Sequence, residues 1–297
     1  MTYRAGFVTL LGRPNVGKST LLNQLVGKKV SITSSRPQTT RHRLLGIRTG
    51  PHAQLVFVDT PGVHDSKKRF INRVMNKTAK NALEGVDITL LMITSKGWTE
   101  EDRLALELAR QHKHTLILLI NKIDRLKDKT RLLPLLEESA GIYAFDEIIP
   151  VSATRGENID NLVEQLIRYL PESPQLFPAE QATDRGDRFI VSEVIREKLF
   201  RSLHHELPYA LAVEVRQLDI TDSLVSVDAI IWVEKDSQKG IIIGRAGHNL
   251  KAIGSAARKD LEDYFSRKVF VQLWVKVREN WSDNAGMLKT VGYLEDE

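Results

Sequence analysis

No cysteine occurs among the 297 residues. That excludes disulfides and thiolate metal sites, and it suits a reducing compartment. No apolar run approaches the roughly 20 residues that a membrane-spanning helix requires. The stretch Phe7–Leu11 is too short for the core of a secretion signal and leads straight into a glycine loop, so a cytoplasmic place is expected. Internal repeats and low-complexity tracts are absent, and no cluster of His, Asp and Glu has transition-metal spacing. There is also no large excess of one charge. The net charge of +5 permits a nucleic-acid partner without demanding one.

What is present has the balance of a globular chain, 42% apolar and 27% charged, with length for about two domains. In the first half, Phe7–Leu11, Leu55–Val58, Ile88–Ile93, Leu116–Ile120 and Ile148–Val151 are short runs apolar on both faces, as strands of a covered parallel sheet are. Amphipathic stretches such as Glu100–Gln111 and Asn158–Leu170 alternate with them, which predicts a doubly wound, mostly parallel α/β domain over residues 1–170. From Pro171 to Gly186 the periodicity stops and three prolines stiffen the chain, the expected interdomain linker. Val191, Ile195, Leu199 and Leu203 then mark a helix. Strands are expected at Ala210–Arg216 and Leu224–Val233, then a glycine loop, a helix over His248–Phe265, and a strand alternating strictly from Val269 to Val277. The order helix, two strands, loop, helix, strand predicts a small α+β domain over 187–278, followed by a tail at 279–297.

Charge is uneven in that second half. Residues 187–297 carry 16 basic and 18 acidic groups, yet Lys235–Arg278 carries 10 basic and 4 acidic. The local excess surrounds Gly244-Arg245-Ala246-Gly247.

Four stretches carry the chemistry of the first half. Gly12, Arg13, Pro14, Asn15, Val16, Gly17, Lys18 and Ser19, followed by Thr20 and a helix, form a complete phosphate-binding loop in the required strand–loop–helix context. Its glycines let the backbone curve so that N–H groups point at phosphates, and the helix adds its positive end. Lys18 is expected on the β- and γ-phosphates, and the Ser19 hydroxyl on Mg2+. Asn121-Lys122-Ile123-Asp124 follows an apolar strand. The Asp124 carboxylate accepts from guanine N1–H and the 2-amino group, donors that adenine lacks, so GTP and GDP are the expected ligands. Lys122 is expected along the base, and Asn121 as a tie to the phosphate loop. Ser152-Ala153 follows the next strand and offers a backbone N–H toward guanine O6. Asp59, Thr60, Pro61 and Gly62 close the strand Leu55–Val58, with Asp59 in the outer shell of Mg2+ and the Gly62 N–H on the γ-phosphate. Thr40, in the polar segment Ser31–His42, is the expected switch threonine on Mg2+ and the γ-phosphate. Lys18, Thr40 and Gly62 are therefore the expected catalytic contacts. A glutamine that orients water after this motif is lacking: Val63 and then His64 stand there, so slow intrinsic hydrolysis is expected.

These motifs, with Gln38-Thr39-Thr40-Arg41-His42, Arg196-Glu197-Lys198-Leu199, Glu206-Leu207-Pro208-Tyr209, Ala257-Arg258-Lys259-Asp260 and Leu273-Trp274-Val275-Lys276-Val277, make the chain resemble the Era family nearly end to end. The resemblance implies a P-loop GTPase domain followed by a type II KH domain, a monomer. It also implies binding to the 3′ end of small-subunit ribosomal RNA during assembly of the small ribosomal subunit, and peripheral contact with the inner face of the cell membrane. Ile243, Gly244, Arg245, Ala246, Gly247 and Lys251 are then the expected RNA contacts, with the GxxG loop placed between a strand and a helix and clamping the backbone. Related GTPases with asparagine in the phosphate loop use K+, which makes Asn15 the expected K+ contact. The alternative from a different class is a signalling GTPase whose C-terminal module binds a protein or a membrane, favoured by the acidic balance of residues 187–297.

Overall fold

A computed structural model describes residues 2–34, 41–59, 84–112, 114–203 and 207–292. The expected alternation in the first half yields a six-stranded sheet of β1 (Arg4–Leu11), β2 (Leu44–Thr49), β3 (Ala53–Asp59), β4 (Ile88–Thr94), β5 (Thr115–Asn121) and β6 (Glu147–Pro150). The strand order is β2-β3-β1-β4-β5-β6. All neighbours are parallel except β2, which pairs antiparallel with β3 from Leu44 opposite Asp59 to Thr49 opposite Gln54. Every residue of β3 and β4 is buried, which explains their mostly apolar sequences.

Helices α1 (Lys18–Val26), α2 (Glu100–Ala109), α3 (Leu132–Ile142) and α4 (Ile159–Tyr169) connect or follow these strands. Helix α4 buries Ile159, Leu162, Val163 and Leu166, one apolar stripe at helical spacing. Helix α2 starts on a capping box in which Thr99 and Asp102 satisfy each other's backbone N–H groups. Neighbours of β1 lie on both sides in the order, so the chain reverses direction of winding at β1. Ligands of such sheets sit at the carboxyl ends of the strands at that point. Residues 12–17 leave β1 there.

The proline-marked segment runs along this first unit. Arg4 and Glu172 form an antiparallel bridge, as do Gly46 and Thr183, and the side chain of Gln54 takes the N–H groups of Leu176 and Phe177.

The second unit takes up the chain from Arg185. It holds α5 (Asp187–Ser202), β7 (Leu211–Ile220), β8 (Leu224–Val233), α6 (Asp236–Ile243), α7 (His248–Phe265), β9 (Lys268–Val277) and α8 (Ala285–Thr290). The sheet order is β7-β8-β9, antiparallel then parallel. One core joins Val191, Ile195 and Leu199 of α5, Ile253, Ala257 and Leu261 of α7, and the inward residues of the sheet. One expectation is corrected here. The glycine loop does not follow a strand; it lies between α6 and α7. The run Ile241-Ile242-Ile243 reads as strand by its β-branched residues. The Gln238 side chain, however, accepts from the backbone N–H groups of Glu234 and Lys235, and this holds the chain in a helical start.

Candidate nucleotide site and nucleic-acid interface

The phosphate loop is shaped by close approaches that permit no side chain. Gly17, with φ 112°, is the N-cap of α1, and a Cβ there would stand 2.3 Å from the Asn121 amide nitrogen. That amide donates to Val16 O at 2.8 Å, so β5's Asn121 ties the two loops together as expected. The Asn121 Oδ1 in turn accepts from the N–H groups of Lys122 and Ala153, at 2.7 and 3.1 Å. One side chain thus joins three of the four motif stretches. The Lys122 ammonium donates to Asn15 O, and Asn15 itself sits at φ 63°. Ser152 donates to Asp124 Oδ1 at 2.7 Å, which fixes the carboxylate expected to read guanine.

Lys18 is buried and its ammonium donates to Gly12 O at 2.7 Å and Arg13 O at 3.1 Å. Burial lowers its pKa to about 8, against the opposing pull of Asp59. A buried cation at the mouth of a helix N-terminus is the complement of a bound phosphate. Asp59, fully buried at the end of β3, accepts from Ser19 Oγ at 3.2 Å and Ser31 Oγ at 3.0 Å. A carboxylate and a hydroxyl this close beside a buried lysine fit a hard cation such as Mg2+, which takes oxygen ligands and keeps several waters.

Thr40, Thr60, Pro61 and Gly62, with Val63 and His64, lie outside the described residues. The remaining nucleotide residues, from Gly12 to Thr20 and at Asp59, Asn121, Lys122, Asp124, Ser152 and Ala153, converge on one edge of the sheet.

Two supports escaped the sequence reading. Asn23, one turn beyond Ser19 on α1, accepts from the N–H groups of Val30 and Ser31, both at 2.9 Å, and donates to Ser31 O at 2.7 Å. It thereby holds the hydroxyl that meets Asp59. Asp102, wholly buried on α2, pairs with Arg13 of the phosphate loop at 3.1 Å while also serving the capping box. Ser31 gives no signal in sequence, because a serine in a polar loop is unremarkable. The Thr99–Asp102 spacing was readable as a cap, but its second duty to Arg13 was not.

In the second unit, Gly244 (φ 70°) and Gly247 (φ 77°) bracket Arg245 and Ala246 in a tight turn that ends as the N-cap of α7. Asn249 donates to Ile241 O at 3.1 Å and fills the space where a Cβ on Gly244 would fall. Arg245, Ala246 and Lys251 are exposed, and Ile243 is half-buried. From Gly247 a groove of about 420 Å3 runs between α7 and β9, lined by Lys251, Ser255 and Arg258 on the helix and by Phe270, Gln272 and Leu273 on the strand. β9 ends the sheet order, so its outer edge pairs with no described strand. No metal-binding cluster of His, Cys, Asp and Glu occurs among the described residues, and no described helix is long and apolar enough to cross a membrane.

Fold and site together define a guanine-nucleotide GTPase with a C-terminal KH domain. The family described as 50S ribosome-binding GTPase matches residues 7–122, and the KH domain family matches residues 206–282. GTPase Era of Stenotrophomonas maltophilia is 50% identical over 291 residues, with 98% of each chain covered. GTPase Era of Coxiella burnetii is 47% identical over 290 residues, again with 98% of each covered. A crystal structure of Era in complex with MgGDPNP and nucleotides 1506–1542 of 16S ribosomal RNA superposes with a TM-score of 0.94 at 38% identity, covering 98% of this chain and 99% of that one. A variant of Aquifex aeolicus Era bound to GDP and AlF4- gives a TM-score of 0.93 at 37% identity, with the same coverage. The chain belongs to the Era family of GTPases.

Proposed function

We propose that this GTPase is a switch that binds the 3′ region of 16S-type ribosomal RNA and acts in assembly of the small ribosomal subunit. The observation that carries the reading is the GxxG turn, with Arg245 exposed on it, opening onto a groove lined by Lys251 and Arg258, downstream of a site whose Asp124 is held by Ser152 in the place expected to read guanine. In KH domains such a turn clamps the backbone of about four nucleotides, and neighbouring elements read the bases. The solved Era bound to 16S ribosomal RNA supports the choice of RNA. Its place of action is then the cytoplasm, where that RNA is made into subunits.

The reaction breaks the bond between the β–γ bridging oxygen and the γ-phosphorus of GTP, with water as nucleophile. Mg2+, when bound at Ser19 with Asp59 behind it, neutralises charge on the β- and γ-phosphates. Lys18 stabilises the same charge from the loop side, and Asn121 holds loop and base site in fixed relation. Asn15 is the residue we assign to K+. A hydrolysis rate several-fold higher in K+ than in Na+ is the expected result, and equal rates remove the assignment.

Labelled RNA of the small-subunit 3′ end tests the switch at fixed salt. Binding at least tenfold tighter with a non-hydrolysable GTP analogue than with GDP, and abolished by Gly247→Asp, is expected. No binding in either nucleotide state overturns the RNA reading.

A further inference from the structure

We propose that the outward face of β9 is a second contact for single-stranded RNA, taking bases of the strand that continues from the KH groove. The inference rests on the RNA reading above. It begins with the alternation of β9. Val269 and Val275 belong to the core of the second unit, and Val271, Leu273 and Val277 pack against it. The other face therefore presents Lys268, Phe270, Gln272, Trp274 and Lys276, and all five are exposed. Among the described residues only nine large apolar side chains are exposed, and three of them are aromatic. Two of those three are Phe270 at 56% and Trp274 at 47%. Leaving two large rings in water on one face of one strand forgoes the burial that would stabilise them.

Charge argues for the occupant. Lysines bracket the two rings, and Lys251 and Arg258 stand across the groove on the strand's other flank. β9 itself carries no acidic residue, and the acids near it stand on neighbouring elements: Asp228 on β8 lies opposite Gln272, Glu214 on β7 accepts from Trp232 Nε1 at 2.7 Å, and Glu262 on α7 accepts from the Val269 N–H at 3.4 Å. The positive potential thus follows β9 itself, which suits a single phosphodiester strand more than a broad protein surface. Rings spaced along a basic track are how single-stranded nucleic acid is held without strict sequence readout, each base stacking on one ring. At about 3.4 Å per residue, Phe270 and Trp274 stand roughly 13 Å apart along the strand, room for two bases with the Gln272 amide between them.

Continuity with the groove completes the case. Phe270 and Gln272 line the groove as well as standing on the outer face, so RNA leaving the GxxG turn along β9 meets the rings after turning over the sheet edge. A KH groove takes only about four nucleotides. An RNA the length of the 1506–1542 segment has much more to place.

Two labelled RNAs decide it with the full chain and a non-hydrolysable GTP analogue: one of about four nucleotides that fills only the groove, and one matching nucleotides 1506–1542. Trp274→Ala, whose ring stands outside the groove lining, is expected to weaken the long RNA about tenfold, by loss of one stacked base, and to leave the short RNA and GTP turnover unchanged, whereas Phe270→Ala, whose ring also lines the groove, weakens both RNAs and the long one more. Trp274→Phe restores most of the affinity. Lys268→Ala and Lys276→Ala each lower the slope of log affinity against log salt by about one, while the ring substitutions leave that slope alone. If the ring variants bind the long RNA like the parent while Gly247→Asp loses both RNAs, the outer-face contact is wrong and the RNA reading stands. Equal weakening of both RNAs by Trp274→Ala places that ring in the groove or the core and overturns the proposal. A defect seen only with intact small subunits, and not with naked RNA, makes the partner a ribosomal protein and overturns it too. If the parent chain binds neither RNA, the RNA reading fails first and takes this inference with it.

Discussion

Lys18 is a buried cation whose partners in this structure are carbonyl oxygens, and that has a consequence for pH. Burial lowers its pKa to about 8. A nucleotide's phosphates stabilise the charged form and raise the pKa again, so binding takes up a proton wherever the empty site has lost one. The sign follows: affinity for GDP is fully present below about pH 8 and falls as pH rises past it, by up to about tenfold per unit. Titration calorimetry at pH 9 in buffers of different ionisation enthalpy is expected to show proton uptake, absent at pH 7. A flat affinity from pH 7 to 9.5 rejects this account of Lys18. Its neighbour Asp59 is set by two hydroxyls, Ser19 and Ser31, and only the first of these belongs to the phosphate loop.

The phosphate loop is braced by elements as well as by its own glycines. Asn121 at the end of β5 holds it at Val16, and Asp102 on α2 holds it at Arg13. Because Asp102 is wholly buried, deleting Arg13 leaves a carboxylate that has given up its water without its cation, and deleting Asp102 frees the partly exposed Arg13 from its anchor. Arg13→Ala and Asp102→Ala are each expected to raise Kd for GDP about tenfold. Their double mutant should cost less than the sum, with a coupling of about 1–3 kcal/mol. Additive effects on GDP affinity would mean that the pair does not position the loop. Elements also mark where sequence reading stopped. The strand β2 was missed because Leu44–Thr49 ends in Arg and Thr, half-buried at the sheet's margin. The helix α6 was missed because three consecutive isoleucines outweighed one glutamine that caps it.

At the scale of the molecule, the two units have separate cores, and each motif set lies within one of them. The uneven charge acquires its meaning only here. Of the basic residues between Lys235 and Arg278, Lys251 and Arg258 line the groove and Lys268 and Lys276 stand on β9, while acids such as Glu214 and Asp219 lie on β7. The nucleotide-dependent RNA binding predicted above should therefore weaken steeply as salt rises, since phosphate contacts release counterions. Affinity insensitive to salt would place the RNA away from this basic side.

Nucleotide class, fold class and the presence of an RNA-type glycine turn were determined by the sequence itself. Each depends on residues close together in the chain, where steric limits and hydrogen-bond chemistry are local: glycines that alone tolerate the loop, an aspartate that alone matches guanine, alternation that alone suits a strand. Tertiary structure decided what distant residues do for one another. It set Asp102 against Arg13 across 89 positions and Asn121 against Val16 across 105. It also converted an isoleucine run into a helix and placed two exposed rings on the strand that lines the groove. Such pairings depend on which elements pack, and packing is settled by the burial of the whole core rather than by any short stretch.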